Sequence, residues 1–139
     1  GGVKGDDVTD LGSQYTVMSD MPVGGLIATG DGADSREVVA WMTALGTVVI
    51  FDLRENKALE FTVATGDDEG GDAFAPVVSG RGWRMFALWH SGLLAAVRVD
   101  GNPLGPTAVT HLDGTVQAPP LEVDGVLYVA VDSEIRALE

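Results

Sequence analysis

Cysteine is absent from these 139 residues, which excludes disulfide stapling, thiolate catalysis and Cys-containing zinc sites. Cationic side chains are scarce: 8 Lys and Arg stand against 21 Asp and Glu, and lysine occurs only as Lys4 and Lys57. The resulting net charge of −13 repels phosphate backbones and anionic headgroups, so no nucleic-acid partner is expected. Long hydrophobic runs are missing as well. Runs such as Leu93 to Val97 are the length of a strand and far below the ~20 residues of a membrane-spanning helix, so no membrane insertion is expected. Windows fit for a helix are almost absent, because Gly, Pro or β-branched residues interrupt each of them. The one candidate, Ser35 to Leu45, reads better as a strand on account of Val38-Val39 and its match to later hairpins.

What is present is period-two alternation. Leu59, Phe61 and Val63 alternate with Glu60, Thr62 and Ala64, the pattern of a half-buried antiparallel strand. Turn signals punctuate such strands. Leu45-Gly46 and Ser91-Gly92 separate pairs of apolar stretches, and Asp113-Gly114 and Asp124-Gly125 sit between β-formers, so hairpins are expected at each. The length suits one domain: a Gly/Asp-rich extended N-terminal arm over residues 1–21, then a β-repeat domain over residues 22–139.

The strands repeat. Ala75-Pro76 and Ala118-Pro119 lie 43 residues apart, and at that offset Gly82 matches Gly125 and Phe86-Ala87-Leu88 matches Val129-Ala130-Val131. An earlier copy begins near Met21-Pro22-Val23. A period in the forties with about four short strands per unit is the mark of propeller blades. The phrases IFDLRENKALEFTVATG, APVVSG and APPLEVDGVLYVAVDSEIRALE resemble the repeats of PQQ-like, quinoprotein-type β-propellers over residues from about 22 to 139. The resemblance implies blades of antiparallel strands. It departs from the family phrase in having Glu55-Asn56 where Thr-Gly is usual, and Leu59 or Phe61 where a Trp commonly closes the blade. Quinoprotein enzymes are much longer chains that enclose a quinone with calcium, a cavity this chain cannot build alone.

Chemistry-bearing residues are few. His90 and His111 are the only imidazoles, on different strands among apolar neighbours, and read as ordinary strand histidines. There is no Gly-x-Ser-x-Gly, and the loop Gly30 to Ser35 lacks Gly-Lys-Ser/Thr and carries Asp31 and Asp34 where an anion would bind. No catalytic activity and no organic cofactor are therefore expected. Asp67, Asp68 and Asp72 gather with Glu69 on a Gly-rich loop whose hard oxygen donors suit calcium, although the spacing fits no EF-hand and a solvated acidic loop is the plainer reading. Trp41, Trp83 and Trp89 suit packing between sheets, with Trp89 the candidate for an aromatic anchor to a partner.

The composite expectation is an all-β protein of about three β-propeller-like blades of antiparallel strands, closed by oligomerisation or by a partner chain, since three blades are too few to close a ring. Such a chain would serve as a non-enzymatic assembly or protein-interaction module, self-associating within a larger particle such as a virion or an extracellular surface assembly. A calcium- or ligand-binding fragment of a quinoprotein-like propeller is the alternative, and a β-sandwich the rival fold. The last blade runs out at Glu139, while Asp10-Leu11 and Tyr15-Thr16-Val17 repeat the Asp52-Leu53 and Phe61-Thr62-Val63 of the first. Residues 8–17, with Val8, Leu11, Tyr15 and Val17 as their apolar set, are thus expected to pair with the final strands of a neighbouring copy.

Overall fold

The computed structural model describes residues 8–12, 20–29, 37–66, 68–79, 83–101 and 103–139. Eleven strands account for the regular structure, and no helix occurs among the described residues; within the Ser35 to Leu45 window Val38–Thr43 is a strand and Ala44 and Leu45 belong to the turn after it. The first sheet contains β1 (Pro22–Thr29), β2 (Val38–Thr43), β3 (Thr47–Asp52) and β4 (Lys57–Thr62). The second contains β5 (Val77–Val78), β6 (Arg84–Leu88), β7 (Leu93–Arg98) and β8 (Gly105–His111), and the third β9 (Leu121–Val123), β10 (Val126–Val131) and β11 (Glu134–Leu138). Every paired neighbour is antiparallel and adjacent in sequence, with strand orders β1-β2-β3-β4, β5-β6-β7-β8 and β11-β10-β9. These are three blade-like meanders. Three separate sheets, each of strands consecutive in sequence, set the fold apart from a two-sheet sandwich.

The second sheet lies between the other two. Alternation along its strands sends Met85, Ala87, Trp89, Leu93, Ala95 and Val97 toward Val38, Ala40, Met42, Val48 and Ile50 of the first sheet. Its opposite face, with Phe86, Leu88, Leu94 and Ala96, meets Leu127, Val129 and Val131 of the third. Both faces being covered explains why β6 and β7 read as unbroken apolar runs, whereas β4, at a sheet edge, keeps its polar alternation. On the far face of the first sheet Trp41, Val49 and Phe51 form a smaller buried cluster.

The turns follow glycine chemistry at two equivalent places. Gly46 and Gly92 have φ of 79° and 99°, and each amide donates to the carbonyl three residues back, Thr43 and Trp89 respectively, at 3.0 Å. The carbonyls of Gly46 and Gly92 in turn accept the amide that follows the sheet's last strand, Val63 in one case and Leu112 in the other, both at 2.9 Å. At Asp124-Gly125 both φ values are positive, 52° and 87°, the two-residue hairpin turn expected there. Asp113-Gly114 is not a hairpin. It lies in the crossing from β8 to β9, where the Asp132 carboxylate accepts the Thr115 amide at 2.9 Å and draws the loop onto the β10–β11 turn.

The repeat is real but its register differs from the sequence alignment. An isolated bridge joins Ala73 to Trp89 in the second unit and Val116 to Val131 in the third, and the His90 and Asp132 amides donate to Asp72 and Thr115 with the same 2.9 Å length. Val131 therefore corresponds to Trp89 rather than to Leu88. Loop lengths absorb the slip: two residues join β9 to β10, while five separate β5 from β6.

Substituting valine at Gly46 would drive its side chain into Ala64, and at Gly92 would bring a Cβ within 2.6 Å of the Leu112 carbonyl oxygen. Each Gly→Val variant should lose roughly 1–3 kcal/mol in urea unfolding. A loss at one position without the other would show that the turns are not equivalent.

Candidate assembly surface

The third sheet differs from the others in what its two faces carry. Register places Leu121 and Ala137 beside Tyr128, Val123 beside Val126, and Ile135 beside Ala130. All seven side chains point away from the second sheet, and none is polar apart from the tyrosine hydroxyl. Ile135 is 71% exposed and Leu121 62%, with Val123 and Tyr128 also exposed. The charged side chains of these strands, Glu122, Glu134 and Arg136, occupy the alternate face; Arg136 donates to the Asp113 carbonyl at 3.2 Å, and Glu122 accepts the Gly125 amide at 2.7 Å. The sequence carried a sign of this face: β10 is as continuously apolar as β6 and β7, which are covered on both sides.

The third sheet has three strands among the described residues where the first and second have four. β4 and β8 are fourth strands of their sheets, but β11 pairs only with β10, leaving its other edge unpaired among the described residues. Of the segment expected to interact, Val8 is fully exposed and Leu11 75% exposed, while Tyr15 and Val17 lie outside the described residues. Asp10 accepts the Gly12 amide at 2.7 Å, two residues on, as Asp52 accepts the Arg54 amide at 2.9 Å. The Asp10-Leu11 and Asp52-Leu53 phrases thus share an Asx turn.

Trp89 is no surface anchor. It is fully buried, and its indole N–H donates to the Thr43 carbonyl at 3.0 Å, tying the second sheet to the first. Its position one rung from the sheet end, facing the first sheet, makes it a core residue. Trp41 is buried with its indole N–H unpartnered, and Trp83 is flanked by the guanidinium carbons of Arg84 and Arg98, 5.1 and 4.9 Å from its ring centroid.

The acidic loop acts as a strap. Asp67 lies outside the described residues, Asp68 is exposed, and Asp72 accepts the neighbouring Ala73 amide at 2.8 Å. Glu69, which the sequence did not single out, holds the loop: its carboxylate accepts the Thr65 amide and hydroxyl, each at 2.8 Å, and pairs with His111 Nε2 at 2.9 Å. The Ser91 hydroxyl donates to the Glu69 carbonyl at 2.7 Å, and the Gly71 amide to the Ala44 carbonyl at 2.7 Å. His90 stacks on Phe74 with centroids 4.2 Å apart. Among the described residues no three His, Asp or Glu side chains form a cluster able to hold a metal ion, and no helix is long and apolar enough to cross a membrane.

No family model and no curated protein sequence matches the chain.

Two outcomes follow from these contacts. Trp89→Ala should destabilise by about 3–5 kcal/mol in chemical unfolding, as for a large core truncation, whereas a surface anchor would lose under about 0.5 kcal/mol. The His111 hydrogen bond, with those from Thr65, lowers the Glu69 pKa from 4.5 to about 2. A depressed carboxyl pKa contributes stability above its unfolded value that is lost as pH falls through the folded one, here between about 4.5 and about 2. Glu69→Gln should therefore be less stable than the parent at pH 6, and the gap should narrow toward pH 2.5 in urea titrations; a constant gap would show that the ionised form of Glu69 is not what holds the loop.

Proposed function

We propose that this chain is a non-catalytic assembly module that associates with further copies of itself as part of a larger particle. The observation that carries this reading is the outward face of the third sheet, where Leu121, Val123, Val126, Tyr128, Ile135 and Ala137 stand together with no other sheet over them among the described residues. Soluble monomers rarely leave so continuous an apolar surface in water. The first and second sheets show how this chain treats such faces: each is laid against a neighbour with Val, Leu, Ile and Phe interdigitating. A further sheet over the third would continue that stacking.

The charge distribution supports a specific contact rather than indiscriminate aggregation. A net charge of −13 keeps copies apart at long range, and the apolar face is the part of the third sheet free of formal charge. Association would thus depend on ionic strength, tightening as salt screens the repulsion between acidic subunits.

Light scattering tests this. The parent should show a mass above its 14.4 kDa monomer at micromolar concentration, and Tyr128→Lys combined with Ile135→Lys should return it to the monomer while leaving the thermal midpoint within a few degrees. A parent that stays at 14.4 kDa from low to high salt would overturn self-assembly.

A further inference from the structure

We infer that the free edge of β11 accepts a single added strand, and that the strand comes from the N-terminal segment of a second copy, beginning at Val8. This deepens the proposed self-assembly and rests on it. The two-residue turn Asp132-Ser133 makes Val131 and Glu134 a hydrogen-bonded pair, so alternation turns the N–H and C=O groups of Ile135 and Ala137 away from β10. Those groups form an open template for a strand.

Beside this edge lies a groove of about 230 Å³ lined by Phe86, Leu94, Ala96, Ala108, Thr110 and Leu138. Its floor comes from the second sheet and its side from the last residues of β11. At the corresponding place between the first and second sheets, Phe61 of β4 presses so closely on Gly105 that a Cβ there would approach its ring to 2.9 Å. There a fourth strand fills the space; beside the third sheet no strand does so among the described residues, and the small side chains of Ala108 and Thr110 leave room for one.

The groove also restricts what can dock. The second sheet is four strands wide and the third is three, and residues of β8 line the groove beside the end of β11, a space of the size of one added strand. Within this chain, the N-terminal segment has the matching features. Asp10-Leu11 reproduces the Asx turn of Asp52 that leads into β4, and the side chains of Val8 and Leu11 are exposed. In the assembly, that segment would stand where β4 stands in the first sheet.

The test uses a fluorescent peptide of residues 8–17 added to the full-length protein. Polarisation should show saturable binding; unlabelled peptide should compete for the site and lower the light-scattering mass of the oligomer. Ala108→Trp, which fills the groove from β8, and Ala137→Pro, which removes an outward amide from β11, should each weaken peptide binding at least about tenfold. Leu11→Asp in the full chain should weaken self-association to a similar degree without altering peptide binding at its partner's edge. No peptide binding, or binding unaffected by both Ala108→Trp and Ala137→Pro, sinks the strand-addition inference. Should the Tyr128 and Ile135 variants disperse the oligomer while Leu11→Asp and the peptide leave it intact, self-assembly stands and strand addition fails.

Discussion

An antiparallel sheet whose strands are apolar on both sides needs another sheet on each face, and that requirement governs this molecule. The second sheet meets it on both sides, and because its central strands β6 and β7 have no polar face to turn to water, it is the part that the other sheets are organised around. The first sheet is buried on its near face against the second and on its far face around Trp41, Val49 and Phe51. The third satisfies the requirement once only. The same physics that makes a core of Leu127, Val129 and Val131 leaves Tyr128 and Ile135 with no equivalent cover.

Much of the fold was legible because local rules decided it. Gly46, Gly92 and Asp124-Gly125 mark turns through φ values that other residues adopt at a cost, and alternation in β4 marks a strand at a sheet edge. Legibility ended where a residue's role depends on a distant neighbour. Asp113-Gly114 carries a hairpin signature, yet the Asp132 side chain claims the adjacent amide and turns the segment into a crossing loop. The alignment of Leu88 with Val131 failed by one position because loop lengths vary between units while the facing of strands does not. Trp89 has the same residue type in a core as in an interface, and only its hydrogen bond to Thr43 and its complete burial separate the two.

The candidate surface was legible in a different way. The sequence pointed to an incomplete last unit and to an N-terminal segment of matching phrase, but not to the outward face of the third sheet. Reading β10 as apolar on both sides says that both faces favour burial without saying which one is covered. Glu69 was overlooked for a similar reason. In a row of acids every carboxylate looks alike until Thr65 and His111 are brought to one of them, and the loop then serves to tie the β2–β3 turn, the β6–β7 turn and the end of β8 together.

Each sheet is built from strands consecutive in sequence, so strand pairing within the sheets is local, and the stacking of faces, with a few hydrogen bonds such as Trp89 to Thr43, joins remote parts of the chain. A polypeptide emerging from the ribosome could close the hairpins of the first sheet while the second was still being made, but the buried side of β2 and β3 would remain wet until β6 and β7 arrived. Synthesis and consolidation are therefore out of step by about one repeat. During that interval the exposed apolar strands belong to a chain of net charge −13, and like charge opposes the approach of two such chains.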